Sequence, residues 1–328
     1  MTTLADVAAA AGVAVSTVSR AFSRPGRVNS RTLVHVHEVA TRLGYRPNQA
    51  ARALGSGKTS MLGLVVSDIT NPHFFTLIRG AERQASAAGY TLILGDTQQS
   101  PRTEREVVDR TLGSVDGLLI AASRLPTSEL RAYAADKAVV LVNREAEGIS
   151  SVVTDHTEGP RQLVGHLHSL GHRGVVFLSG PRESWSGAKR WAAIDRTARE
   201  LGMSATRLGP FPPSIEGGPA AADAAIGTHA TAVIAHNDLL AIGILRRLAE
   251  RGVDVPGQVS VAGFDDIFGA DFCTPPLTTV AAPLEDAGRA AVELLLQARR
   301  PGKTSAQRLV VPSHLKIRQS SGPAEERA

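Results

Sequence analysis

Near the start of the chain, apolar positions recur every three or four residues, the spacing of one helix face. Leu4, Val7, Ala8 and Ala11 lie on such a face, and Thr3-Leu4-Ala5-Asp6 opens it as a capping box. Gly12 predicts a stop, with Val13 in the turn. A second short helix is expected from about Val15 to Phe22, with Val18 and Phe22 facing inward. Asn29 is placed to cap a third, roughly Ser30 to Leu43, with Leu33, Val36, Val39, Ala40 and Leu43 on its apolar side. Gly44 ends it. Short helices with a glycine in the first turn form a helix-turn-helix, whose second helix suits a DNA major groove.

From Met61 onward the period changes. Short β-branched runs alternate with helical stretches, as in a parallel α/β domain. Candidate strands are 62–66, 91–94, 117–120, 139–142, 151–153, 174–178, 232–235 and 259–262, with a last one at 308–311. Candidate helices are 74–88, 104–112, 158–169, 189–201, 239–251 and 284–298. The pattern predicts two doubly wound units in series. In open parallel sheets, ligands bind beyond the carboxyl ends of the strands. The residues expected there are Ser67, Asp68, Asp96, Ser123, Asn143, Arg144, Asn237, Asp238, Asp265 and Asp266. Such a ring of hydrogen-bonding groups suits a polyhydroxylated ligand.

Charge sharpens the division. Residues 1–60 hold eight cations against two anions, while the whole chain of 328 residues carries only +5. The positive excess therefore sits in the N-terminal module, the electrostatic footprint of a nucleic-acid-binding head on a near-neutral body. The single cysteine, Cys273, excludes an intrachain disulfide or a cysteine metal cluster. No signal peptide and no bilayer-length apolar run is expected, which fits a cytoplasmic protein. Enzyme chemistry lacks its usual sets: there is no Gly-x-Ser-x-Gly elbow, no His-Glu-x-x-His and no phosphate-cradling loop. His168 and His172 have metal-ligand spacing, but Gly171 should end the helix between them and no carboxylate joins. No cofactor and no metal is expected.

Several motifs together carry a family resemblance. Thr3-Leu4-Ala5-Asp6-Val7-Ala8, Gly12-Val13, Ser16-Thr17-Val18-Ser19-Arg20 and the run Gly44 to Leu54 resemble the head of the LacI/GalR repressors. Asn71-Pro72-His73-Phe74-Phe75, Leu170-Gly171-His172-Arg173, Asn237-Asp238, Val261 to Asp266 and Pro275 to Val280 extend the likeness through the body. The resemblance implies a small all-α helix-turn-helix head plus an α/β type I periplasmic-binding-protein-like body of two doubly wound lobes. It places a DNA-binding domain at 1–46, a hinge helix and linker at 47–60, and an effector-binding and dimerisation domain at 61–328. The first lobe would take about 61–155 and 281–310, the second about 156–280 and 311–320. By the same resemblance, Val15, Ser16 and Arg20 are base readers. Arginine suits guanine because its fork meets O6 and N7 together. Thr3, Thr17, Ser19, Asn29, Arg31 and Thr32 suit phosphates, which set register without reading sequence. Capping or solvation is the plain alternative for Thr17 and Ser19. Asn48, Ala51 and Leu54 would belong to a hinge helix too short to form alone, with Leu54 wedged into the minor groove.

For the effector, the motifs imply Arg190 as the gripping arginine and Asp265 as its partner across the cleft. His73, Phe74, Ser123, Arg144, Ser186, Phe211 and Asn237 complete the expected set. Structural pairing is the alternative for Arg190, Asp265 and Arg144, and core packing for Phe74. The implied protein is a repressor that binds a pseudo-palindromic operator as a homodimer, under a small-molecule effector of the sugar class. A purine or a protein co-repressor is the alternative controller, and a solute-binding protein the remote alternative. Dimerisation is expected through the outer helices of both lobes. Residues 320–328 carry no leucine heptads, so no tetramer-forming coiled coil is expected.

Overall fold

The computed structural model describes residues 2–45, 58–299 and 305–324. The chain forms two compact units, Met1–Ser60 and Met61–Ala328. The expected hinge residues Asn48, Ala51 and Leu54 lie outside the described residues.

The first unit is built from α1 (Leu4–Ala11), α2 (Val15–Ser23) and α3 (Ser30–Arg42), with a 3-10 turn at Pro25–Arg27. Thr3 and Asp6 form the capping box in both directions, and Gly12 closes α1 in the left-handed region at φ 63°. Val7, Ala8, Ala11, Val18, Ala21, Val36, Val39 and Ala40 make its core, with Phe22 packed beside it. Leu43 departs from the expected inward face. The helix ends one residue earlier and Leu43 becomes its cap, 36% exposed.

The second unit contains two six-stranded sheets. The first uses β1 (Met61–Val66), β2 (Thr91–Asp96), β3 (Gly117–Ala121), β4 (Val139–Val142), β5 (Ser150–Thr154) and β11 (Arg308–Val311), in the order β11-β5-β4-β3-β1-β2. All its neighbours run parallel. The second uses β6 (Gly174–Leu178), β7 (Ser204–Leu208), β8 (Ala232–Ala235), β9 (Ser260–Phe264), β10 (Thr278–Ala281) and β12 (His314–Lys316), in the order β12-β10-β9-β8-β6-β7. Only the short β12 is antiparallel to its neighbour. The chain thus passes between the sheets after β5, after β10 and between β11 and β12.

Helices α4 (His73–Ala87), α5 (Pro101–Leu112), α6 (Thr127–Asp136) and α11 (Leu284–Ala298) accompany the first sheet. Helices α7 (Glu158–Ser169), α8 (Trp185–Glu200), α9 (Gly218–Ile226) and α10 (Asp238–Glu250) accompany the second. Apolar strands covered on both faces explain the continuous buried runs in β1, β3, β4, β8 and β9. Gly80 and Gly288 let α4 and α11 approach until a Cβ at either would overlap the facing backbone. Helices α6 and α9 and strands β7, β10 and β12 have no counterpart in the sequence pattern. Strand β7 is a half-exposed edge, Ser-Ala-Thr-Arg-Leu, with no apolar run to betray it.

In each sheet the strand order reverses once, between β1 and β3 in the first and between β6 and β8 in the second. These reversal points open a crevice at the carboxyl ends of the strands.

Candidate DNA-reading face and ligand cleft

In the first unit, the residue before α2 is Ala14, which offers no side-chain cap, so the first turn of α2 is open to a partner. Val15 stands in that turn, 48% exposed, and Ser16, Ser19 and Arg20 are also exposed. The Arg20 guanidinium folds back on Ser16, donating to its carbonyl and to its hydroxyl, both at 3.1 Å. Thr3 and Asn29 serve as helix caps, accepting from Asp6 N–H and Arg31 N–H, so their side chains have structural work before any phosphate contact. Arg31 is exposed, and Thr17 and Thr32 are half-buried.

In the second unit, Arg190 and Asp265 pair directly with each other. Both follow strands of the second sheet, so they do not face each other across the cleft, and the contact is the structural pairing given as the alternative. Arg190 Nη2 donates to Asp265 Oδ1 at 2.7 Å, and Nη1 to the His236 carbonyl at 2.6 Å. Both side chains are less than 10% exposed, and the guanidinium lies over the Phe264 ring. Helix α8 starts four residues earlier than the pattern predicts. Ser184 caps it, accepting from Gly187 N–H, and that brings Arg190 into its second turn. Asp265 adopts φ 110°, a region costly for a residue with a Cβ. Its loop is pinned by the buried Asp238, which accepts from Thr279 hydroxyl at 2.6 Å and from Ile267 N–H at 3.0 Å. Burial holds the Asp238 carboxyl well above its ordinary range, and nearby Asp265 adds to the shift.

Three imidazoles surround the pair. His73 Nδ1 lies 3.3 Å from Asp265 Oδ1 but out of hydrogen-bond alignment. His156 follows β5 and His236 follows β8, both buried, each with one ring nitrogen lacking a partner. The His236 ring fits against the backbone of Gly180 and Gly187, where any side chain would collide with it. Trp185 meets His156 edge-on at 5.7 Å. Burial pushes His156 and His236 well below the ordinary imidazole range, and Arg190 pushes both further down. His73 is lowered by burial, opposed by Asp265.

These shifts predict acid sensitivity. A histidine with a depressed folded pKa stays neutral while the unfolded chain takes up a proton. Its stability contribution is therefore full above about pH 6.5 and is lost as pH falls below it. Glu104 and Asp238, both raised, act in the opposite sense, favouring the folded chain at low pH. His236→Gln is expected to lose less melting temperature than the parent between about pH 7.5 and pH 5.5, as read by calorimetry. An equal loss would refute the assignment.

Several expected effector residues are engaged elsewhere. The Phe74 ring is a core residue, 3% exposed, beside Leu62, Leu77 and Leu284. Ser123 donates to the buried Glu104 and accepts from Leu125 N–H at 3.1 Å. Asn237 caps α10 through Leu240 N–H and donates to the Pro213 carbonyl. Phe211 packs against the core beside α9 and α10. Arg144 reaches the Leu125 carbonyl and Thr127 at about 3.2 Å. Ser186 lies 3.3 Å from Ser184, half-buried. The imidazoles of His156 and His236, and Arg124 after β3, are the groups that the sequence reading missed. His166 and His172 turn onto Ser321 and onto Thr231 and Ser260, fixing the tail.

Fold and cleft together define a two-lobed periplasmic-binding-protein-like body joined in one chain to a helix-turn-helix head. Comparison with known proteins agrees. Residues 3–48 match the family described as bacterial regulatory proteins, lacI family, and residues 164–321 match the periplasmic binding protein-like domain. The HTH-type transcriptional regulator DegA of Bacillus subtilis (strain 168) is 30% identical, over 98% of each chain. The lac repressor dimer bound to operator and the anti-inducer ONPF aligns with TM-score 0.86 at 25% identity, over 98% of this chain and 99% of that one. The regulator CelR in complex with cellobiose aligns with TM-score 0.71 at 29% identity, over 98% and 100%. The chain belongs to the lacI family of transcriptional regulators. The relatives are regulators of transcription, not enzymes.

Proposed function

We propose that this protein is a cytoplasmic repressor that binds a pseudo-palindromic operator as a homodimer and is controlled by a sugar. The observation that carries the reading is the buried Arg190–Asp265 pair, ringed by imidazole nitrogens without partners, at the point where the two sheets open. A sugar hydroxyl can both donate to and accept from such groups. Sugar-bound relatives support the class: one is held with cellobiose and another, from Enterococcus faecalis V583, with ribose. In the head, Val15, Ser16 and Arg20 read bases, while Thr17, Ser19, Arg31 and Thr32 meet phosphates. Thr3 and Asn29 hold the helices that present them. The hinge reading of Asn48, Ala51 and Leu54 stays with this proposal.

The homodimer reading gains support from an exposed aromatic face. Phe75, Phe268 and Phe272 are 49%, 76% and 68% exposed, and Phe268 meets Phe272 edge-on at 5.1 Å. Large exposed apolar patches mark interaction surfaces. Phe75 and Phe268 line one groove with Pro72, Ile267 and Pro283. This face lies at the start of α4 and in the loop after β9. Phe268→Asp is expected to convert dimer to monomer in sedimentation at micromolar concentration and to weaken operator binding. A dimer that survives the substitution would remove this face from the interface.

The function is tested by selecting operators from a random DNA pool with the full-length chain, then titrating sugars into the complex. The reading predicts a two-fold-related consensus and at least one sugar that shifts its affinity. Selection without any consensus would sink it.

A further inference from the structure

We propose that the effector is anionic, a sugar bearing a carboxylate or phosphoryl group whose charged oxygens are received by Arg124 and Arg190. This rests on the sugar-effector reading and adds a charge to it.

The first support is an imbalance of donors and acceptors. Among the described residues, six buried side-chain polar atoms have no partner, and all six are nitrogens. They belong to His73, Arg124, Arg144, His156, Arg190 and His236. Every one of these residues follows the carboxyl end of a strand or lies on the helix after one. Three of the atoms are guanidinium Nε–H groups, which can only donate. Among the described residues no buried side-chain oxygen is left open to match them. The missing partner must therefore offer acceptors to the three Nε–H groups, while each imidazole nitrogen takes a donor or an acceptor according to its tautomer. A neutral sugar offers hydroxyls that donate as well as accept, whereas a carboxylate or phosphoryl group offers acceptors alone.

The second support is charge. Arg190 has Asp265, but Arg124 forms no ion pair among the described residues. Its Nη2 rests on the neutral Gln99 side chain. Glu104, the nearest buried acid, already accepts from the Ser123 hydroxyl and the Arg124 backbone N–H. Glu183 acts on Arg124 from the other lobe but is itself exposed. A guanidinium removed from water without a counter-ion is costly, and a bound anion relieves that cost.

Topology places these groups together. Arg124 follows β3, at the reversal point of the first sheet, and His236 follows β8, at that of the second. Arg190 is bonded to the His236 carbonyl at the second reversal point, and Arg124 stands just past the strand end at the first. An anion entering there meets guanidinium groups from both lobes at once.

The test uses the full-length chain and matched ligands at constant ionic strength. Ribose is compared with ribose 5-phosphate, glucose with glucuronate and glucose 6-phosphate, galactose with galacturonate, and inorganic phosphate is run alone. Binding is read by calorimetry and by the shift of thermal unfolding. An anionic member is expected to bind at least about tenfold more tightly than its neutral counterpart. The uronate and phosphate arms tell which group is recognised. The preference should vanish in Arg124→Gln and partly return in Arg124→Lys, with operator binding intact in both. If Arg124→Gln does not fold, Arg124→Met supplies the neutral control. A neutral sugar that binds as tightly as its charged partner overturns the charge while leaving the sugar-effector reading standing. So does an anion preference that persists without Arg124. If neither the sugars nor phosphate bind, both readings fall.

Discussion

Arg190→Ala is expected to abolish the response of operator binding to effector and to lower the stability of the body, while the head keeps its sequence preference. Three features of the site set the size of the effect. The Arg190–Asp265 pair is almost wholly buried, so removing one partner strands a carboxylate away from water. Breaking such a pair costs about 3–5 kcal/mol. Asp265 is also held at φ 110°, and loss of its partner removes one reason for that strain to persist. Finally, Arg190 Nη1 fixes the His236 carbonyl, so the truncation loosens the strand end that presents the ring. Differential scanning calorimetry of the full chain should show the body transition moved down, and gel shift should show operator binding unchanged by any effector. An effector response preserved in Arg190→Ala would remove Arg190 from the site. Asp265→Asn is expected to be milder in stability, because the amide oxygen can still accept from Nη2, yet equally poor in response.

The sequence made some of this site legible and hid the rest for identifiable reasons. Asp265 was reachable because it lies in the motif Val261 to Asp266, whereas Arg190 came from the family likeness without a quoted motif around it. The rule that ligands meet strand carboxyl ends pointed at Asn237 and Asp238, next to His236. It did not say which of those residues faces the cleft. Asn237 is among the best N-cap residues, and it caps α10, while Asp238 reaches inward to Thr279 and Ile267. His236, one position earlier, is left to present its ring. The same displacement separates Ser123, tied to Glu104, from Arg124. A strand-end rule gives a window of a few residues, and pleat and capping decide the direction of each side chain within it.

The fold followed the same logic. Strands covered on both faces announce themselves as apolar runs, whereas β7, β10 and β12 do not. Strand β10 reads Thr-Thr-Val-Ala, with Thr278 and Thr279 both buried because their hydroxyls are spent on Arg318 and Asp238. A buried polar residue that is fully hydrogen-bonded behaves like core in the structure and like surface in the sequence. The helical head was the most legible part because caps, periodicity and charge agreed, and such agreement across levels marks a locally determined unit.

Arg20→Ala carries the largest expected effect on DNA reading. The guanidinium lies along α2 in an exposed position, bonded only to the Ser16 carbonyl and hydroxyl. Both bonds are solvent-exposed and local, so releasing them to reach a base edge costs little. A bidentate arginine–guanine contact is worth about 1–3 kcal/mol of discrimination. Its loss should therefore flatten the consensus at one base pair in each half-site and weaken the intact operator by roughly tenfold or more per half-site. Arg31→Ala makes the contrast. A phosphate contact neutralises charge without reading a base, so it should weaken all sequences alike and reduce the salt dependence by about one counterion. Operator selection with each variant, at two salt concentrations, separates the roles. If Arg20→Ala changes only the salt slope while the consensus stays sharp, the guanidinium meets backbone and the base-reading face must be sought among Val15 and Ser16 alone.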